Sequence, residues 1–134
     1  MSLEDNKAVV RRLYDAFNTG DLKAMDSVLA PDAVDFAPRE GQTPGIEGFK
    51  ENITALRSSF PDLSLSIETM IAEGNRVAER VTIRGTHRGE FIGVPASGNQ
   101  MTVAAMAFNL LAGGKIVERG RIIDTFGLMQ QIQT

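Results

Sequence analysis

The 134-residue chain has no cysteine and no tryptophan, and it has one histidine, His87, and one tyrosine, Tyr14. Without cysteine, a disulfide framework, a thiolate metal site and a thiol nucleophile are all excluded. A single histidine also excludes a metal site built from several imidazoles, so we expect no metal. The length fits one domain, residues 1–134, with a core of ordinary size.

Long apolar runs and blocks of one charge are also missing. The longest apolar stretch, residues 101–112, is interrupted by Thr102 and Asn109 and is too short to span a bilayer. Glu4 and Asp5 stand where a signal peptide would carry a basic segment. The net charge of −3, with both signs interspersed, gives no reason to expect nucleic acid or a membrane surface as a partner. We therefore expect a cytoplasmic protein that binds a small, neutral or weakly charged molecule.

Helical periodicity dominates the first sixty residues. Apolar side chains recur at helical spacing over residues 4–18 and again over residues 46–60, which predicts two amphipathic helices that end before Gly20 and Pro61. Asp21 can cap a shorter helix over residues 22–29. The composition of residues 39–45 predicts a loop.

From residue 63 onwards the apolar period changes to about two, as in strands. Alternating segments are separated by Gly74-Asn75, by the loop at residues 93–98 and by Gly113-Gly114, which predicts strands joined by hairpins. Helices followed by a run of strands indicate an α+β fold, in which helices cover one face of an antiparallel sheet.

The last predicted strand, residues 115–124, carries charge on both faces. Its even-numbered face holds Glu118, Gly120 and Asp124, whereas Arg121 lies on the odd-numbered face, where solvent or a partner subunit is expected. If the even-numbered face is turned toward the helices, two carboxylates point at an apolar interior, which is costly unless they are used. The alternative is that Asp124 caps a short C-terminal helix over residues 125–131.

His87 follows a strand whose odd-numbered positions include Val81 and Ile83, so the pattern turns it inward. An inward histidine is commonly a core residue hydrogen bonded to backbone, and the alternative is a ligand-binding residue. Several large side chains allow the same two interpretations, because they can line a ligand cavity or fill a core. They include Phe36, Phe60, Phe91, Met106 and Phe108.

Six short segments occur in a characteristic order along the chain. They are FPDL at 60–63, AEGN at 72–75, GTHRGEF at 85–91, GVPASG at 93–98, GKIVE at 114–118 and DTFGLMQQ at 124–131. As a set they resemble the SnoaL-like polyketide cyclases, also called predicted ester cyclases, across nearly the whole chain.

The resemblance implies the cone-shaped α+β fold of nuclear transport factor two, in which a curved antiparallel sheet and helices enclose one apolar pocket. It also implies a homodimer formed through the sheets, and a cofactor-free enzyme that performs an aldol closure or isomerisation on a small apolar carbonyl compound. By motif, Asp124 corresponds to the acid/base residue and His87 to a polar pocket residue that would donate a hydrogen bond to the developing oxyanion. The expected substrate-binding residues are Phe36, Phe60, Phe91, Met106, Phe108, Glu118 and Gly120.

Two residues depart from the family pattern. Phe36 stands where many relatives have histidine, and Gly120 where they have tryptophan, so the resemblance predicts a more apolar and roomier pocket. This loss of polar groups keeps a second hypothesis open, in which the protein is a non-catalytic carrier or sensor of small hydrophobic ligands. A third hypothesis is a dimerisation module with a filled core.

Overall fold

In a computed structural model that describes residues 1–133, three α-helices pack with one five-stranded sheet. The helices are α1 (Leu3–Thr19), α2 (Ile46–Ser59) and α3 (Thr125–Ile132), and a 3₁₀ helix covers Lys23–Ser27. The strands are β1 (Leu29–Asp35), β2 (Ser64–Glu73), β3 (Arg76–Thr86), β4 (Gln100–Ala112) and β5 (Lys115–Ile123). The α+β fold class predicted from the sequence is confirmed.

The sheet has the strand order β1-β5-β4-β3-β2. β1 runs parallel to β5 and every other pair is antiparallel, so the sheet is mixed rather than wholly antiparallel. The helix predicted over residues 22–29 is only partly correct, because a 3₁₀ helix covers Lys23–Ser27 and the chain then enters β1; Asp21 Oδ1 accepts from the Ala24 N–H at 3.1 Å. Pro31 is tolerated in β1 because an edge strand leaves one row of backbone N–H groups unused.

Side-chain caps and cross-links fix the first two helices on the sheet. Ser2 and Asp5 form a reciprocal capping box at the start of α1, and Gly20 ends the helix in a left-handed conformation with φ of 72°. Asn18 then accepts from the Leu65 N–H at 2.7 Å and donates to the Leu65 carbonyl at 3.0 Å. Arg57 of α2 donates to the carbonyl oxygens of residues 17 and 18, so α1, α2 and β2 are held together.

A bulge in β5 decides which side chains face the helices. Leu110 pairs with Glu118 and Leu111 with Ile116, which leaves Val117 as an extra residue. The inward face of β5 therefore changes from even-numbered to odd-numbered positions after the bulge. The arrangement in which the even-numbered face of β5 turns toward the helices therefore does not hold at Glu118 and Gly120, because one inserted residue reverses the alternation of a strand.

Candidate functional site

A small cavity lies between the helices and the inward face of the sheet. Its volume is about 30 Å³, enough for one or two water molecules. Its wall is mainly apolar but includes the polar side chains of Tyr14, Asn52, Arg119 and Arg121. We call it the interior cavity; its other lining residues are Phe17, Phe49, Ile53, Leu56, Leu65, Val81, Ile83, Ala105 and Ala107.

A second cavity, which we call the mouth, adjoins the first. Its volume is about 170 Å³. It shares Asn52 and Arg121 with the interior cavity, so these two side chains stand where the two spaces meet. The other residues that line the mouth are Ala37, Arg39, Gln42, Ile123 and Thr125.

A buried ion-pair network forms the inner end of the interior cavity. Arg119 donates to Glu79 Oε2 at 2.8 Å, to Asn109 Oδ1 at 2.7 Å and to the Tyr14 hydroxyl at 2.9 Å. Glu79 also accepts from the Tyr14 hydroxyl at 2.9 Å and from Asn109 Nδ2 at 2.8 Å. All four side chains are buried. Every partner in the network is hydrogen bonded, as buried charges require.

The network changes the acid–base properties of its members. Burial raises the pKa of Tyr14 to about 12, although the positive charge of Arg119 opposes the change. Burial acts to lower the pKa of Arg119, but Tyr14 and Glu79 outweigh it and the pKa lies above its ordinary value. Arg119 is therefore a permanent, fully neutralised cation rather than one that is available to a ligand.

Arg121 is the second cation on the inward face of β5, and its situation differs from that of Arg119. Within residues 1–133 its guanidinium has no carboxylate oxygen within 4.0 Å and no hydrogen-bond acceptor. Burial, and then the positive charge of Arg119, lower the pKa of Arg121 from its ordinary value, with Asp35 and Tyr14 acting in the opposite direction. It is an unpaired, partly buried positive charge at the junction of the two cavities.

The polar residues around the mouth are bonded to each other. Asn52 donates to Gln42 Oε1 at 3.1 Å and accepts from Arg39 Nε at 2.8 Å. Gln42 in turn donates to Asp35 Oδ2 at 2.9 Å, and the other oxygen of Asp35 accepts from the Ala37 N–H. These bonds anchor the loop at residues 36–45 against α2, so the rim of the mouth is a built structure.

Asp124 lies outside both cavity walls. It is exposed, and its Oδ1 accepts from the Gly127 N–H at 2.9 Å, so it caps α3. The cap interpretation from the sequence is therefore confirmed as a structural role. Ile123 and Thr125, on either side of it, both line the mouth, which places Asp124 at the rim. Its catalytic role stays a prediction.

His87 is fully buried, as its strand position predicts, but it also lies outside both cavity walls. The Ser97 N–H donates to His87 Nδ1 at 3.1 Å, which places the proton of the neutral ring on Nε2. Phe60 packs against the ring with centroids 5.6 Å apart, and Phe91 packs against Phe60. His87, Phe60 and Phe91 therefore form a core cluster that holds the loop at residues 93–98.

The other predicted substrate-binding residues lie on the face of the sheet that the helices do not cover. Phe36, Met106, Phe108 and Gly120 line a groove of about 350 Å³ there, together with Ile71 and Ile122, and Glu118 lies between Val34 and Leu110 in neighbouring strands. We call this the outer groove. Three ring carbons of Phe36 lie within 2.6 Å of where a Cβ at Gly120 would stand, so the phenyl ring fills the space that a larger residue there would occupy.

The sequence interpretation missed the residues that line the interior cavity and the mouth, above all Arg121. In the structure Ala107 stands opposite Arg121 and Asn109 opposite Arg119, so the alanine leaves room for one cation and the asparagine supplies an acceptor to the other. Without a bulge, the turn at Gly113-Gly114 would instead pair Asn109 with Glu118 and Ala107 with Gly120. The inward position of Arg121 therefore becomes predictable only once the bulge at Val117 is known.

Among residues 1–133, no three carboxylate or imidazole side chains come together in a way that could hold a metal ion. No helix in that part of the chain is long and apolar enough to cross a membrane.

Comparison with known proteins assigns the fold and the family. The family model of the SnoaL-like polyketide cyclases matches residues 7–132. The chain belongs to the SnoaL-like polyketide cyclase family. The aklanonic acid methyl ester cyclase DauD of Streptomyces sp. (strain C5) is 26% identical over 130 residues, which cover 92% of this chain and 79% of DauD.

Solved structures agree with this assignment. TsrD from Streptomyces laurentii superposes with a TM-score of 0.90 at 27% identity, over 98% of this chain and 97% of TsrD. Wild-type IdmH from Streptomyces antibioticus superposes with a TM-score of 0.87 at 30% identity, over 96% of this chain and 99% of IdmH. The SnoaL-like resemblance drawn from the six segments is confirmed.

Proposed function

We propose that this SnoaL-like protein catalyses a cofactor-free acid/base reaction, an aldol ring closure or an isomerisation, on a small apolar carbonyl compound. The observation that carries the proposal is the family match over residues 7–132, in a family whose relative DauD is named as a methyl ester cyclase. The interior cavity and the mouth support it, because they offer apolar walls and hydrogen-bond donors on the covered side of the sheet.

The reaction needs a base, a stabilised oxyanion and a returned proton. In a ring closure, a base removes a proton from the carbon beside one carbonyl, that carbon attacks a second carbonyl carbon, and the new alkoxide takes up a proton. Asp124 at the rim is the candidate base and proton donor. Because its Oδ1 accepts from Gly127, the proposal assigns the proton transfer to Oδ2, which no other hydrogen bond within residues 1–133 occupies. Negative charge on the substrate oxygen would be met by donors of the cavity wall, and His87 would act only as a positioning residue.

Asp124→Asn is the test of this proposal, with turnover of a carbonyl substrate as the readout. Asparagine is as good a helix cap as aspartate, so the variant keeps the α3 cap and removes only the acid/base group. We expect a loss of turnover of about a hundredfold or more with unchanged thermal stability. Asp124→Ala is the matched control for the cap, because it removes both the α3 cap and the acid/base group. Turnover that survives in Asp124→Asn would refute the assignment of Asp124.

A specific observation favours a second candidate function, a non-catalytic carrier or sensor of small apolar ligands. No aspartate or glutamate lines the interior cavity or the mouth within residues 1–133. For a carrier, ligands would raise the melting temperature by mass action, and Asp124→Asn would bind them as well as the wild type. A carrier would show no turnover in either protein.

We also propose that the protein forms a homodimer through the open face of its sheet. Met106, Phe108 and Ile122 are 52–69% exposed there, and Phe36, Ile71 and Val34 continue the apolar surface. Large exposed apolar patches on a folded domain mark interaction sites. A dimer of this kind would cover the outer groove and leave the mouth open on the other side.

A further inference from the structure

A role in the fold does not explain the position of Arg121 between two cavities or its lack of an acceptor. It extends from β5 over Ala107 into the space between the interior cavity and the mouth. Within the described residues its guanidinium meets no carboxylate and no other acceptor. An arginine presents five N–H donors, and leaving them unmatched in a partly buried position costs stability. A partly buried cation with no acceptor among the described residues is therefore placed to bind an anion that the chain itself does not supply.

The acidic and amide side chains near Arg121 already form hydrogen bonds or ion pairs with other groups. The two oxygens of Asp35 accept from the Ala37 N–H and from Gln42 Nε2. Glu79 lies deeper, where it neutralises Arg119. Arg39, the other cation of the mouth, is bonded to Asn52 and lies 3.6 Å from Glu51. Arg121 is thus the cation of the mouth that has no acceptor among the described residues.

The surroundings of Arg121 define the chemistry of the missing partner. A guanidinium matches the geometry of a carboxylate and binds it through two parallel hydrogen bonds. The mouth, at about 170 Å³, is close in size to cavities of about 150 Å³ that hold one benzene ring. The interior cavity beyond the mouth, at about 30 Å³, has room only for water, so the body of a ligand must lie in the mouth itself. A small aromatic or unsaturated carboxylate fits these features, with its charged end on Arg121 and its body against Ala37 and Ile123.

We propose that Arg121 is the anion-recognition residue of the site and that the ligand of this protein is a small apolar molecule carrying a carboxylate. This inference rests on the proposed function for the use of the cavity, and it adds the substrate class. The carboxylate of the ligand supplies the hydrogen-bond acceptor that the chain does not offer to Arg121. Burial and then Arg119 lower the pKa of Arg121, so its charged form is disfavoured in the unliganded protein. A bound anion would stabilise that charged form.

Benzoate and its neutral counterpart benzamide test the proposal on the intact protein by isothermal titration calorimetry. We expect the wild type to bind benzoate with a Kd of about 1 mM or tighter, and benzamide at least about tenfold more weakly. Arg121→Gln should weaken benzoate binding by about tenfold or more and leave benzamide binding unchanged. Arg12→Gln removes the same charge from the exposed face of α1 and is the matched control, with wild-type affinity for both compounds.

Thermal unfolding of an Arg121 variant is a second test, because a residue with a purely structural role would give the opposite change in Tm. Because an unpaired guanidinium costs stability, Arg121→Met should raise the Tm of the unliganded protein while it abolishes benzoate binding. A fall in Tm would mean that Arg121 stabilises the fold and would overturn the proposal. Equal affinity for benzoate and benzamide, benzoate affinity retained in Arg121→Gln, or no saturable benzoate binding would each overturn it as well.

The outcomes separate this inference from the proposed function. If benzamide binds as well as benzoate and a neutral carbonyl compound is turned over, the anion preference is wrong and the enzyme proposal stands. If benzoate binding depends on Arg121 but no carbonyl compound is turned over, the anion site stands and the enzyme proposal fails.

Discussion

Replacing Glu79 by glutamine tests whether the buried ion pair stabilises the fold behind the interior cavity. The Glu79 side chain is 0% exposed and that of Arg119 is 3% exposed. Glutamine keeps the shape of the side chain and removes its charge, which leaves Arg119 as an uncompensated buried cation. Breaking a buried pair in this way costs about 3–5 kcal/mol in free energy of unfolding.

The remaining contacts of Arg119 place the expected cost at the lower end of this range. Asn109 Oδ1 at 2.7 Å and the Tyr14 hydroxyl at 2.9 Å still accept from its guanidinium. We therefore expect a loss of about 3 kcal/mol out of the total of about 5–15 kcal/mol that is usual for a domain. For a chain of this length such a loss corresponds to a fall in Tm of about 10 °C.

Urea unfolding followed by far-ultraviolet circular dichroism is the appropriate assay. Fluorescence is unsuitable, because the chain has no tryptophan and its one tyrosine is a member of the network. Glu73→Gln, at the exposed end of β2, is the matched control and should change stability by less than about 0.5 kcal/mol. A Glu79→Gln loss of less than about 1 kcal/mol would refute the reasoning.

Three further predictions concern Tyr14 in the buried network, the Asp124 cap and the open face of the sheet. The pKa of Tyr14 is raised to about 12 by burial, so absorbance at 295 nm should show ionisation near pH 12 in the folded protein and near pH 10 in urea. Since the folded pKa is above the unfolded one, this stabilisation is complete below pH 10 and is lost as pH rises through 12; a folded midpoint near 10 would contradict it. Asp124→Ala should cost about 1 kcal/mol of stability through loss of the α3 cap and Asp124→Asn almost nothing, and equal losses would refute the cap. Ile122→Lys on the open face should convert the proposed dimer into a monomer in sedimentation equilibrium while Lys7→Gln does not, whereas a wild-type protein that is already monomeric would refute the dimer.

Short-range patterns predict most of the elements of this fold. The apolar spacing over residues 4–18 and 46–60 corresponds to α1 and α2, and Gly74-Asn75 and Gly113-Gly114 are the turns of two hairpins. These features are local, because a helix face or a tight turn is decided by residues a few positions apart. β1 could not be predicted in this way, since its pairing with β5 depends on residues more than eighty positions away.

The candidate site was harder to predict, because it depends on one inserted residue. Val117 reverses the alternation of β5, and the same strand with no bulge would place Glu118 and Gly120 inward and Arg121 outward. Nothing in the residues 115–124 alone distinguishes the two arrangements, since both faces carry charge. Asp124 and His87 show a second limit: a motif identifies a residue, and its surroundings decide whether the side chain faces a cavity, a helix end or the core.

Small carbonyl compounds are expected to bind on the covered side of the sheet, and nuclear magnetic resonance tests this most directly. Acetophenone, a neutral aromatic ketone, would be titrated into nitrogen-15-labelled protein while the backbone and side-chain amide signals are followed. We expect saturable shifts at the Asn52 side-chain amide, at Arg121 Nε–H and at the backbone amides of Ala105 and Thr125. Ala105 borders the interior cavity, Thr125 borders the mouth, and Asn52 and Arg121 border both. Saturable shifts confined to Ile71, Ala78 and Ile122 in the outer groove, or no saturable shifts, would contradict binding on the covered side.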